Sequence, residues 1–159
     1  MNSKRLLFIG LLLFGSVSRS AESDDRVNVV AQLYRDFAWE VVVIHPQHPG
    51  FAEQPRVVLE KYLTPELAGL LIKERECISR TKELCWLDAP PLWVGNDPGA
   101  MELSVTASQG TDVLVKFTYP GNGDKLEIRY KMALVGKQWR VSDIQKGKWS
   151  LKSTLEKPL

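Results

Sequence analysis

The chain has little of what most catalytic and nucleic-acid-binding proteins are built on. Its 159 residues hold two histidines, His45 and His48. Both stand on a proline-rich loop with no third ligand fixed beside them, so an exposed turn is expected there rather than a metal site. There are two cysteines, Cys77 and Cys85. Their spacing is not Cys-x-x-Cys, and no histidine lies close enough to complete a zinc site. There is no Gly-x-Ser-x-Gly, no glycine-rich phosphate loop, no internal repeat and no low-complexity tract. No apolar run reaches the roughly 20 residues that a membrane-spanning helix needs. These absences leave no cofactor, metal or catalytic residue to nominate.

What is present begins with a targeting pattern. Lys4 and Arg5 precede the apolar run Leu6 to Phe14, and small residues follow at Ser16, Ser18, Ser20 and Ala21. That order predicts a secretory signal peptide over 1–20, cut after Ser20 or Ala21, and hence a periplasmic chain with no stable membrane insertion. An uncleaved anchor is the competing reading, because Arg19 sits awkwardly near the cut. Loss of Lys4, Arg5 and Arg19 takes the 21 cations to 18 against 19 anions, so the formal charge moves from +2 to −1. A nearly neutral domain offers no electrostatic footprint for nucleic acid. Export also makes Cys77–Cys85 a disulfide pair, worth about 2–3 kcal/mol for so short a loop. A single domain is expected over 21–148. The lysines at 146, 148, 152 and 157 mark 149–159 as a solvated tail.

Apolar residues at Val27, Val30, Tyr34, Phe37, Val41 and Ile44 step by three and four, predicting one helix of about five turns. Asp24 or Asp25 can cap it. The β-branched run 41–44 leaves its end open to an extended reading, before Pro46 and Pro49 stop it. A second short amphipathic piece runs from about Pro55 to Tyr62. Thr64-Pro65-Glu66 predicts a fresh helix start with Leu67, Leu70 and Leu71 buried. An irregular, apolar stretch then covers 84–100. Strands follow at Met101–Ala107, Val113–Tyr119 and the hairpin 125–146. In that hairpin Leu126, Ile128, Tyr130, Met132 and Leu134 form the dry face, with Trp139, Val141 and, out of phase, Ile144 across the turn. The expected fold is therefore α+β: N-terminal helices packed on a curved four-stranded antiparallel sheet, a cone-like or cystatin-like roll.

Two stretches carry a resemblance. Leu87-Asp88-Ala89-Pro90-Pro91-Leu92 with Gly95-Asn96-Asp97, and Trp139-Arg140-Val141-Ser142-Asp143-Ile144, resemble a family of small exported bacterial proteins of unknown function. That family is built on the cone fold of nuclear transport factor two and ketosteroid isomerase. Pro90 departs from it, standing where an acidic residue is expected. The resemblance implies a cone and implies no catalytic residue. Relatives on that fold include enzymes, binding proteins and toxin-immunity proteins.

Trp86, Asp88, Trp93 and Asp97 are the candidate ligand- or partner-binding residues. Asp88 and Asp97 form an acid/base pair if tryptophan walls raise a carboxyl's pKa. The plainer expectation is that both aspartates hold turns. Tyr34, Trp39, Tyr119 and Tyr130 are expected to line the core. The reading is a non-catalytic periplasmic binding or interaction protein, of toxin-immunity or envelope-accessory type. The alternative is a cone-fold enzyme or binder of a small apolar ligand at Asp88/Asp97. A homodimer using the open face of the sheet is a further expectation.

Overall fold

The computed structural model describes residues 24–41, 49–95 and 99–158. The expected signal peptide, His45, His48 and Asp97 lie outside them. Helix α1 spans Asp25–Phe37 and starts where Asp24 accepts the Arg26 backbone N–H at 3.0 Å. Val30, Leu33, Tyr34 and Phe37 are its buried stripe. It tightens into a 3₁₀ turn over Ala38–Val41, so the helix stops short of the β-branched run. The single-turn helix α2 covers Arg56–Leu59. Helix α3, Pro65–Thr81, begins as its sequence predicts: Thr64 Oγ1 accepts the Leu67 N–H at 3.3 Å and Pro65 fills the first turn. The Cys77–Cys85 disulfide ties its last turns to the segment beyond.

The four expected strands form: β1 Met101–Ala107, β2 Val113–Thr118, β3 Lys125–Val135 and β4 Gln138–Lys146. A fifth, β5 Trp149–Ser150, joins them in the order β1-β2-β3-β4-β5, with every neighbouring pair antiparallel. The four-stranded expectation is thus short by one strand. The sheet is not strongly curled, and the architecture is α+β with helices against an antiparallel sheet.

The expected solvated tail is not one. Ser150 caps helix α4, Leu151–Leu155, by accepting the Ser153 N–H at 3.1 Å. Leu151 and Leu155 are one turn apart and both buried. Of the lysines that suggested a tail, only Lys152 belongs to this helix; Lys146 ends β4, Lys148 is in the turn before β5 and Lys157 follows α4. Lys152 pairs with Glu66 at 2.9 Å.

The phase break in β4 has a local cause. Lys131 opposes Asp143 and Met132 opposes Val141, so Ser142 is an extra residue, a β-bulge. The bulge allows Val141 and Ile144 both to be fully buried. It also aims the buried Asp143 carboxylate at the chain end. That carboxylate accepts the Lys152 N–H at 2.9 Å and the Ser150 hydroxyl at 2.8 Å. Leu134, expected on the dry face, is 57% exposed because it sits beyond the helices at the hairpin tip.

Candidate functional site

The segment from Leu84 to Gly95 carries three of the four candidate residues, and the structure separates them. Trp93 is buried between sheet and helices. Its ring meets Tyr34 edge-on at 5.0 Å and Phe117 at 5.7 Å. Its indole N–H donates to Glu40 Oε2 at 3.0 Å. The backbone beside it is held as firmly. Tyr34 donates to the Leu92 carbonyl at 2.7 Å, Tyr130 donates to the Tyr34 hydroxyl at 2.8 Å, and Tyr119 donates to the Trp93 carbonyl at 3.0 Å. Burial pushes the Tyr34 and Tyr130 phenols well above their ordinary value, so both stay protonated donors. Val94 is held at φ 49°, a conformation that costs a β-branched residue on the order of 1–3 kcal/mol. Gly95 is required next to it: a Cβ there would lie 2.5 Å from the Tyr119 hydroxyl.

The carboxyl that meets Trp93 is that of Glu40, and its pKa is raised. Burial raises it, against hydrogen bonds from the Phe51 N–H and the Trp93 indole that favour the charged form. Asp88 lies exposed. The plainer expectation for Asp88 is a turn-holding role, and it stands on a bend.

Trp86, at the other end of the segment, is only half buried. Glu74 fixes its position. This carboxylate is 4% exposed and accepts the backbone N–H of Trp86 at 3.0 Å and of Leu87 at 3.1 Å. The Trp86 indole N–H reaches across to the Lys157 carbonyl at 2.9 Å. Around it an open groove of about 630 Å³ runs between α3 and α4, lined among others by Gly69, Leu70, Lys73, Leu155 and Glu156.

No family model, curated protein or solved structure matches this chain. The cone-fold resemblance is accordingly carried by its two short stretches alone. The structure divides the first of them. Leu92 is core, whereas Asp88 is surface. The second, Trp139–Ile144, lies in β4, where Arg26 stacks over Trp139 at 5.8 Å.

Two residues that matter most to this segment were not singled out from the sequence. Glu74 had a readable signal: with Leu67, Leu71 and Cys77 it falls on the buried stripe of α3, where an unpaired charge would be costly. Glu40 had none, because its partners come from Phe51 and Trp93, remote in the chain. Among the described residues, no buried side-chain nitrogen or oxygen lacks a hydrogen-bond partner. The groove offers charged groups of both signs and one aromatic ring. That chemistry suits a partner's polar surface better than a small apolar ligand.

Proposed function

We propose that this chain is an exported, non-catalytic binding protein that engages a protein partner through the groove beside Trp86. The observation that carries this is the placement of Trp86. Its backbone is fixed by Glu74 and it lies one residue from the disulfide, while its side chain is only partly buried and lines an open groove. A rigid aromatic ring with a polar rim is the usual anchor of a protein interface. The rival, an enzyme or small-ligand site between helices and sheet, needs room that Tyr34, Trp93, Phe117 and Tyr130 fill. Kinship to the cone-fold family and residence in the periplasm are parts of the same proposal. They rest on the two short stretches and on the signal-like N-terminus.

The test is a photocrosslinking residue placed at Lys73 in the groove and, as a control, at Lys116 on the exposed sheet face, in cells exporting the chain. A stoichiometric protein adduct from position 73 and none from 116 supports the reading. No adduct, together with tight binding of an apolar fluorescent probe, overturns it in favour of the rival. N-terminal sequencing of the periplasmic chain should begin at Ala21 or Glu22.

A further inference from the structure

We infer that the outer edge of β1 is a self-association site, where a second copy of this chain adds its own β1 antiparallel about a two-fold axis at Thr106. This is independent of the groove and of its partner.

The two ends of the sheet are finished differently. At the β4 end, the Val141 N–H donates to the Tyr62 carbonyl at 2.7 Å and the Val141 carbonyl accepts the Thr64 N–H at 2.9 Å. β5 and α4 cover the rest of that end. At the other end β1 is the last strand, and among the described residues none pairs with its outer edge. An open edge presents a row of unsatisfied backbone groups, and such edges are commonly blunted by Lys, Pro or a bulge. Between Met101 and Ala107 there is no cation and no proline, and Glu102 is the one charge. The bulge is confined to Met101–Ser104, where Glu102 has φ 56°. That leaves Ser104–Ala107 regular and, among the described residues, unpaired on its outer side.

The register of the pairing follows from the ladder. The Ser108 N–H bonds to the Asp112 carbonyl at 2.9 Å. By the alternation of an antiparallel pair, Thr106 also faces β2, whereas Val105 and Ala107 turn their N–H and C=O outward. A two-fold axis at Thr106 sets Val105 against Ala107 of the second copy and Ala107 against its Val105. All four outward groups in the regular stretch are then used on each copy. Thr106 meets Thr106 as a favourable cross-strand pair on the exposed face. Glu102 is carried towards the second copy's Gly110, whose carbonyl is held by an Arg26 guanidinium that is itself paired with Asp24, so the one charge on the strand meets a pair of opposite charges and not a lone carboxylate. An axis nearer Glu102 would instead bring the two carboxylates together. The edge-on contact is small, so the dimer is expected to be weak, in the micromolar range.

Sedimentation equilibrium of the mature chain over a range of concentrations tests this. The wild type should dimerise. Thr106→Lys and Thr106→Asp should each weaken dimerisation by roughly fivefold or more, because like charges then sit opposite one another. An equal mixture of the two variants should recover wild-type association as a heterodimer. Thr106 is exposed, so both variants should keep the wild-type melting temperature. Amide hydrogen exchange at Val105 and Ala107, but not at Thr106, should slow as concentration rises. A wild type that stays monomeric overturns the proposal. So does a dimer that either variant leaves intact, or that the mixture fails to restore.

Discussion

Trp93 and Trp86 stand in one irregular segment, and their surroundings are opposite. Trp93 is a wedge: it meets rings on two sides, Glu40 takes its side-chain N–H, and two tyrosines, Tyr34 and Tyr119, fix the backbone around it, with Tyr130 holding Tyr34. Trp86 is a floor: Glu74 takes its backbone N–H, and the indole is left to reach the chain end. The difference lies in which part of the residue the carboxylate grips. A carboxylate on the indole draws the ring inward, whereas a carboxylate on the backbone fixes the main chain and leaves the ring at the surface. An apolar loop is therefore not one feature. Here it is a core plug at one end and a presented side chain at the other.

The contrast can be broken most sharply at Trp93. Trp93→Ala leaves a cavity beside Tyr34 and Phe117 and should cost about 3–5 kcal/mol in urea unfolding. A loss below about 1 kcal/mol would mean that the ring is not part of the core. Next is Glu74→Ala, which strands the N–H groups of Trp86 and Leu87 and should cost about 1–3 kcal/mol. It should also speed amide exchange at 84–88 while leaving Trp93 protected, so that only one end of the segment loosens. A smaller effect is expected of Trp86→Phe. It keeps most of the ring but loses the bond to Lys157, worth about 0.5–1.5 kcal/mol of stability. If Trp86 is the floor of a binding groove, crosslinking from position 73 should fall far more than the melting temperature does.

The smallest effect concerns pH. Burial raises the Glu40 carboxyl in the folded chain above its unfolded value, so the folded chain binds that proton more tightly. The contribution of Glu40 to stability is therefore largest below its unfolded pKa. It declines as pH rises from there through the raised folded value. The melting-temperature difference between wild type and Glu40→Gln should accordingly shift in favour of wild type on acidification across that window. A difference that is flat with pH would remove Glu40 from a buried setting.

Much of the fold was legible because its signals are local. The Thr64-Pro65 start, the disulfide and the alternation in Val113–Thr118 and Lys125–Met132 each depend on neighbours within a few residues. What stayed hidden was either masked by charge or made by distant partners. Leu151 and Leu155 lie among lysines whose charge suggested solvent. The roles of Glu40 and Trp93 exist only after the 3₁₀ turn that follows α1, Phe51 and the 84–95 segment have met. Of the candidate residues, Trp93 lies in the core and Trp86 lines the groove. Their division of labour was not visible, because it depends on which carboxylate each one meets after folding.

The last element has a consequence for the order in which the chain can be made. Synthesis runs from the N-terminus, so β5 and α4 emerge after everything they cover. Until they arrive, the hollow that receives Leu151 and Leu155 is open and the Asp143 carboxylate lacks the Lys152 N–H and Ser150 hydroxyl. The indole of Trp86 likewise has no Lys157 carbonyl to meet. A growing chain thus stays unsealed until this element has been made, and a truncated product lacking α4 is left with an exposed apolar seam that quality-control proteases can recognise.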